Sequence, residues 1–172
     1  FIQDMPIYLE LQTCLNYIQC RLKAYNKKYN SPEKIFISAC ANGCRNIINS
    51  FWKERVPSRC SSNILQKGLI LVCSNGHLDV AKFLVEKGVN IHAGNNYALM
   101  TACQNGHLEV AKFLVERGAN IHVDNDRALE RACENGHLEV AKFLVDKGAN
   151  IHANNDYALL LACSKGHLEI VR

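Results

Sequence analysis

Eleven residues, "NGHLEVAKFLV", occupy positions 105–115 and return unchanged at 135–145, and a near copy, "NGHLDVAKFLV", stands at 75–85. Gly-His pairs at 76–77, 106–107, 136–137 and 166–167 set the period at thirty residues. A fixed period in this range marks a stacked array, in which every unit meets the same packing problem as its neighbour. One unit reads as helix, tight turn, helix and loop. In "NNDYALLLACSKGHLEIVR" Asp156 is placed to N-cap a helix starting near Tyr157. Leu159, Ala162 and Cys163 then fall on one apolar stripe. Gly166 suits the left-handed conformation that ends a helix, and a second helix follows from His167 or Leu168. In the complete copy that second helix runs from about Leu138 to Lys147, Gly148 ends it, and "ANIHAN" loops to the next unit. Neither helix can bury its face alone; stacked copies share a core.

The unit resembles the ankyrin repeat. The residues that carry the resemblance are the small pair "AC", where that family has Ala-Ala, then Gly-His, "LEVAKFLV" and "KGAN". They cover residues 63–172 and return in weaker form at 33–56. There "SACANGCRNIINSFW" keeps Ala39, Gly43, Ile47 and Phe51 but has Cys44 in place of the His, which reads as an atypical capping repeat. Ankyrin units repeat every 33 residues and open on Thr-Pro-Leu-His. Here the opening is "YALM", "RALE" or "YALL", and the loop is about three residues shorter, so the projecting hairpin of that family should be stunted. Thirty-residue units written "GANIHANNDYAL" are similar to the ankyrin arrays of giant amoeba-infecting viruses. The resemblance implies an all-α, helix-turn-helix solenoid with shortened inter-repeat loops and an N-terminal helical cap. Residues 1–30 would form an N-terminal amphipathic helix, 31–62 a degenerate capping repeat and linker, and 63–172 the repeats, the last one truncated. The sequence stops at "GHLEIVR", where earlier copies continue into "FLV", and it opens on Phe1; it reads as a piece of a longer protein.

The copies also differ from one another, and where they differ is informative. The second helix keeps one polar stripe: Asp79, Lys82 and Glu86, then Glu109, Lys112 and Glu116, then Glu139, Lys142 and Asp146. A mixed-charge face copied this closely is a solvated face. The first helix varies at Tyr97, Met100, Thr101 and Gln104; at Arg127, Glu130, Arg131 and Glu134; and at Tyr157, Leu160, Leu161 and Ser164. These positions share one side of a helix, while Ala98, Leu99, Ala102 and Cys103 between them form the packing set. In ankyrin proteins that side lines the concave groove, so the resemblance implies that these twelve residues meet a protein partner. Drift on a solvated face is the alternative; Tyr, Met and Arg, which are enriched in interfaces, speak against it. Leu160 and Leu161 have a second alternative, packing against a following segment.

Seven histidines stand fifteen residues apart, from His77 through His92, His107, His122, His137 and His152 to His167. A metal ladder would need two imidazole nitrogens within about 2 Å of one ion. Equivalent residues of stacked units lie about 8–10 Å apart. Two structural positions per unit, hydrogen-bonded to nearby backbone, account for the spacing without metal. By resemblance, the His after Gly bonds between units. Cysteine follows the same logic. Five of nine recur in register (Cys40, Cys73, Cys103, Cys133 and Cys163), as small thiols between helices do. Cys14, Cys20, Cys44 and Cys60 are irregular, no Cys-x-x-Cys pair occurs, and residues 1–70 hold no His, so no metal site is expected. Free thiols fit a reducing compartment.

Charge separates the two ends. Residues 1–70 carry ten Lys/Arg against four Asp/Glu; residues 71–172 carry ten against twelve. Any polyanion binding would belong to the N-terminal part. "DMPIYLELQTCLNYIQCRLKAYNKKYN" reads as one long helix in which Tyr8, Leu11, Leu15, Ile18, Leu22, Tyr25 and Tyr29 make a heptad seam. Either it pairs as a coiled coil or it packs on the first repeat. "RLKAYNKKYN" interleaves basic and aromatic residues, as single-strand nucleic-acid binders do, and also places cations where a helix C-terminus favours them. "SPEK" at 31–34 is a helix start, with Ser31 as cap and Pro32 first.

No phosphate loop, Gly-x-Ser-x-Gly or His-Glu-x-x-His occurs, so no catalytic residue and no cofactor is expected, and the chain does not read as an enzyme. "LILVC" is far too short to span a bilayer, and no basic-then-apolar leader opens the sequence. The reading is a monomeric protein-binding module of the cell interior, acting in the cytoplasm. Under the viral resemblance, that is the host cytoplasm and the partner is a host protein. The alternatives are nucleic-acid binding through the basic N-terminal segment, and a structural spacer in a larger protein.

Overall fold

The computed structural model describes residues 32–53 and 62–172. The N-terminal helix with its heptad seam and basic-aromatic stretch, the Ser31 cap, and Cys14, Cys20 and Cys60 lie outside the described residues. Among the described residues all regular structure is helical: α1 (Pro32–Ala41), α2 (Arg45–Lys53), α3 (Ser62–Ser74), α4 (Leu78–Glu86), α5 (Ala93–Gln104), α6 (Leu108–Glu116), α7 (Arg127–Glu134), α8 (Leu138–Asp146), α9 (Ala153–Lys165) and α10 (Leu168–Val171). The fold is an all-α helical repeat solenoid. None of these helices is long and apolar enough to cross a membrane.

The chain divides into two compact units, Phe1–Gly68 and Leu69–Arg172. In the first, Pro32 opens α1 with the locked φ a first turn needs. The N–H of Cys44 closes the α1–α2 turn on the Ala39 carbonyl at 2.9 Å. Phe36, fully buried, stacks on Phe51 with centroids 4.9 Å apart and meets Trp52 at 6.0 Å. A Cβ on Gly68 of α3 would stand 2.5 Å from Phe36 Cε1, so glycine is what lets that helix approach the ring.

In the second unit α4, α6 and α8 turn the same face inward: Val80, Ala81, Phe83 and Leu84 on α4; Val110, Ala111, Phe113 and Leu114 on α6; Val140, Ala141 and Leu144 on α8. Burying each of the larger side chains contributes roughly 1.5–3 kcal/mol. The opposite stripe faces solvent, with Lys112 2.8 Å from Glu109 and Lys142 3.5 Å from Glu139. The first helices bury Ala98, Leu99, Ala102 and Cys103 on α5, and Ala128, Leu129, Ala132 and Cys133 on α7. Burial pushes the thiols of Cys73 and Cys103 up to about 12 and that of Cys133 up to about 11.

Within a unit, the first helix ends on Gly106 (φ +75), and the His107 N–H reaches back to the Ala102 carbonyl at 2.9 Å. The imidazoles that follow these glycines join the units. Nε2 of His107 donates to the Ser74 carbonyl at 2.9 Å, His137 to Gln104 at 3.0 Å and His167 to Glu134 at 3.0 Å. The expected backbone bonding therefore holds for these three. His92, His122 and His152 differ: their backbone N–H groups bond Asn90, Asn120 and Asn150 Oδ1, and their rings bond side chains, Nδ1 donating to Asn96, Asp126 and Asp156 Oδ1 at 3.1, 2.9 and 2.6 Å.

Those contacts correct the N-cap expectation. Asp156 (φ 61) and Asp126 (φ 59) are left-handed and make no cap bond. Each ends a run of three left-handed residues, 154–156 and 124–126, matched in the preceding unit by Gly94, Asn95 and Asn96. Left-handed backbone costs about 1–2 kcal/mol per ordinary residue, and after glycine Asn and Asp tolerate it best. Asn96 Oδ1 also accepts the Asn120 N–H of the next unit at 3.2 Å, so the compact turn that shortens the loop is locked from both sides.

The apolar stripe differs in exposure from unit to unit. Leu159 is 43% exposed and Cys163 is exposed, whereas Leu99 and Leu129 are buried. On α5 and α7 the first helix of the following unit packs over this flank.

Candidate functional site

Helices α5, α7 and α9 lie side by side and carry the twelve variable residues. Tyr97, Arg127 and Tyr157 hold equivalent positions one unit apart, and all three are exposed, the tyrosines by 45% and 46%. Met100, Glu130 and Leu161 are half-buried, and Leu160 is 58% exposed. Gln104 and Glu134 are half-buried at the helix ends, where their carbonyls hold His137 and His167. Ser164 is exposed and donates to the Leu161 carbonyl at 2.9 Å.

Thr101 departs from this set. It is 7% exposed, and its hydroxyl donates to the Ala98 carbonyl at 3.0 Å. A helical wheel puts Thr101 beside Met100, but the packed stripe of α5 is wide enough to take it in. Eleven of the twelve residues therefore retain access to solvent.

The middle of this surface is tied together. Arg131 Nη1 donates to Glu134 Oε2 one turn on, and Asn154 Nδ2 of the next unit donates to Glu130 Oε1. The surface so changes from aromatic and polar at Tyr97 and Gln104, through paired charges on α7, to apolar at Leu160. Beside Arg127 lies a shallow, solvent-open dip walled by Met100, Leu99, Ile121 and the left-handed turns at Asn95–Asn96 and Asp124. The turns and Asn154 were missed as parts of this surface. Their signal is a run of three Gly, Asn or Asp residues in the same register, just before the right-handed part of each first helix begins at Tyr97, Arg127 or Tyr157 ("GNN", "DND", "NND").

The geometry agrees with what the chain is similar to. The family model for ankyrin repeats matches three overlapping stretches, residues 36–125, 69–156 and 122–172. A protein of Acanthamoeba polyphaga mimivirus named as ankyrin repeat protein L63 is 46% identical over 97 residues, which is 56% of this chain and 15% of that protein. Another from the same virus, named as ankyrin repeat protein R791, is 29% identical over 104 residues, 58% of this chain and 35% of its own length. The chain thus spans well under half the length of either relative. Helix pairs, Gly-His turns and inter-unit imidazole bonds are the physical form of that match: the chain belongs to the ankyrin repeat family.

Proposed function

We propose that the first-helix surface of α5, α7 and α9 binds a partner protein, with Tyr97, Met100, Gln104, Arg127, Glu130, Arg131, Glu134, Tyr157, Leu160, Leu161 and Ser164 as the contact set and Thr101 as support beneath it. Ankyrin repeats are in general protein–protein interaction modules. The observation that carries the reading to this surface is the contrast inside the array. Packing residues are copied from unit to unit, while the exposed positions of the first helices are filled with Tyr, Met, Arg and Leu, side chains suited to interface cores. A surface presented by packed helices keeps the ordering cost of binding low. The mimivirus relatives and the free thiols of Cys40, Cys44, Cys73, Cys103, Cys133 and Cys163 support a host protein, met in the host cytoplasm, as the partner.

The test is a paired capture from amoeba lysate, with the native chain and with an Arg127→Ala, Glu130→Ala, Arg131→Ala variant of matching circular dichroism. A protein retained by the first and lost by the second is the expected result. Identical catches would move the binding site off this surface.

A further inference from the structure

Four of the turns that follow a helix are written Asn-Gly: Asn42-Gly43, Asn75-Gly76, Asn105-Gly106 and Asn135-Gly136. We infer that these pairs are sites of spontaneous deamidation that native packing holds shut and that open only when the unit around them unfolds. In the reaction hydroxide removes the glycine N–H proton, and the nitrogen attacks Cγ of the asparagine. The Cγ–Nδ2 bond breaks, and ammonia leaves with a proton from water. Water then opens the succinimide ring at either carbonyl, giving aspartate or isoaspartate. The net change consumes one water and releases one ammonia, with no other reactant. Glycine is the neighbour that crowds the attacking nitrogen least.

All four asparagines are exposed, so water reaches them. What blocks the reaction is geometry. Ring closure needs the glycine nitrogen rotated toward Cβ of the asparagine. With ψ at 8° for Asn105 and 5° for Asn135, that nitrogen instead eclipses the asparagine's own backbone nitrogen. The glycine N–H groups are also engaged, donating to the carbonyls of Cys40, Cys73, Cys103 and Cys133 at 3.2–3.4 Å. The leaving amide is held as well: Nδ2 of Asn42, Asn75, Asn105 and Asn135 donates to the carbonyl four residues back at 2.7–2.9 Å. Asn105 has a second bond, to Ser74 Oγ of the preceding unit at 3.2 Å.

Conversion is one-way in effect. A carboxylate at these positions lacks the amide donor and sets negative charge against the carbonyl end of a helix, where charge of that sign is unfavourable. At Asn105 and Asn135 it does so beside Gln104 and Glu134. A chain that has spent time open thus carries a lasting mark at the rim of the first-helix surface.

The full chain is incubated in mildly alkaline buffer, native and in urea, and conversion at each site is followed by peptide mass mapping with isoaspartyl methyltransferase labelling. Conversion at Asn75, Asn105 and Asn135 should run at least about tenfold slower in the native chain, because only the locally opened fraction reacts. Ser74→Ala should raise the native rate at Asn105 and leave that at Asn135 as the internal standard. Equal rates in buffer and urea, an unreactive chain in urea, or an Asn105 rate unmoved by Ser74→Ala would each overturn the inference.

Discussion

The array changes direction twice per unit, and it does so with opposite chemistry. The turn inside a unit places one glycine in the left-handed region, closes two backbone bonds and is roofed by the imidazole of the next unit. The turn between units places three consecutive residues there, mostly Asn and Asp, and holds them with the unit's own imidazole. The first turn tolerates no side chain; the second is made of side chains. The difference teaches where each kind of tolerance lies. A turn with no room admits glycine alone, whereas the turn between units accepts small polar side chains, and buries Asn96 and Asp126 because each bonds the imidazole beside it.

Alkali should have the largest effect, because it acts on the packing that both turns serve. The thiols of Cys73, Cys103 and Cys133 are raised by burial from an ordinary value near 9.0 to about 12, 12 and 11. A folded value above the unfolded one means that their contribution is whole below pH 9 and is lost as pH climbs from there toward 12. Urea midpoints should hold level to pH 9 and then fall, and Cys103→Ala should make the fall shallower. A midpoint level to pH 12 would show that the thiols are not sealed in.

Gly106→Ala comes next. A Cβ there would meet the His137 ring at 2.5 Å on a backbone with φ +75. Left-handed strain and overpacking together should cost about 2–5 kcal/mol in denaturant unfolding. The matching change in the other turn, Asn95→Gly, should alter stability by less than about 1 kcal/mol, since glycine is at ease in that conformation. If the two substitutions cost the same, the contrast between the turns is lost.

His137→Ala removes the donor to the Gln104 carbonyl and should cost about 1–3 kcal/mol. Smallest is Asp126→Asn. Asn96 already fills the equivalent place and bonds His92 in the same way, so the change should stay within about 0.5 kcal/mol, while Asp126→Ala should cost about 1–2 kcal/mol. Thermal melts of the two variants side by side test whether the side-chain oxygen or its charge holds the turn.

Much of this was legible from period and spacing. The helix pairs, the role of Gly106 and its equivalents, and the packing stripe follow from where apolar and small residues recur. The turn between units was misread because the chemistry that makes Asp a good N-cap, a short polar side chain that bonds nearby backbone, also lets it sit at positive φ. One Asp ahead of a helix does not separate the two; three Gly, Asn or Asp residues in succession do. Thr101 was placed on the open face because a wheel shows angle and not how broad the packed stripe is. The exposure of Leu159 and Cys163 depends on what covers a unit, which no single unit's sequence contains.

The imidazole bond runs the same way from His107, His137 and His167, each time from the Gly-His of one unit to the carbonyl just ahead of the Asn-Gly pair in the unit before it. Cutting out residues 106–135 would join Asn105 directly to Gly136, and the chain would still read "QNGHLEVAKFLV" across the splice. His137 would then face the Ser74 carbonyl that His107 had held. Such an array can be lengthened or shortened by whole units without a new joint having to be invented, and its reach and its stability grow together with each unit added.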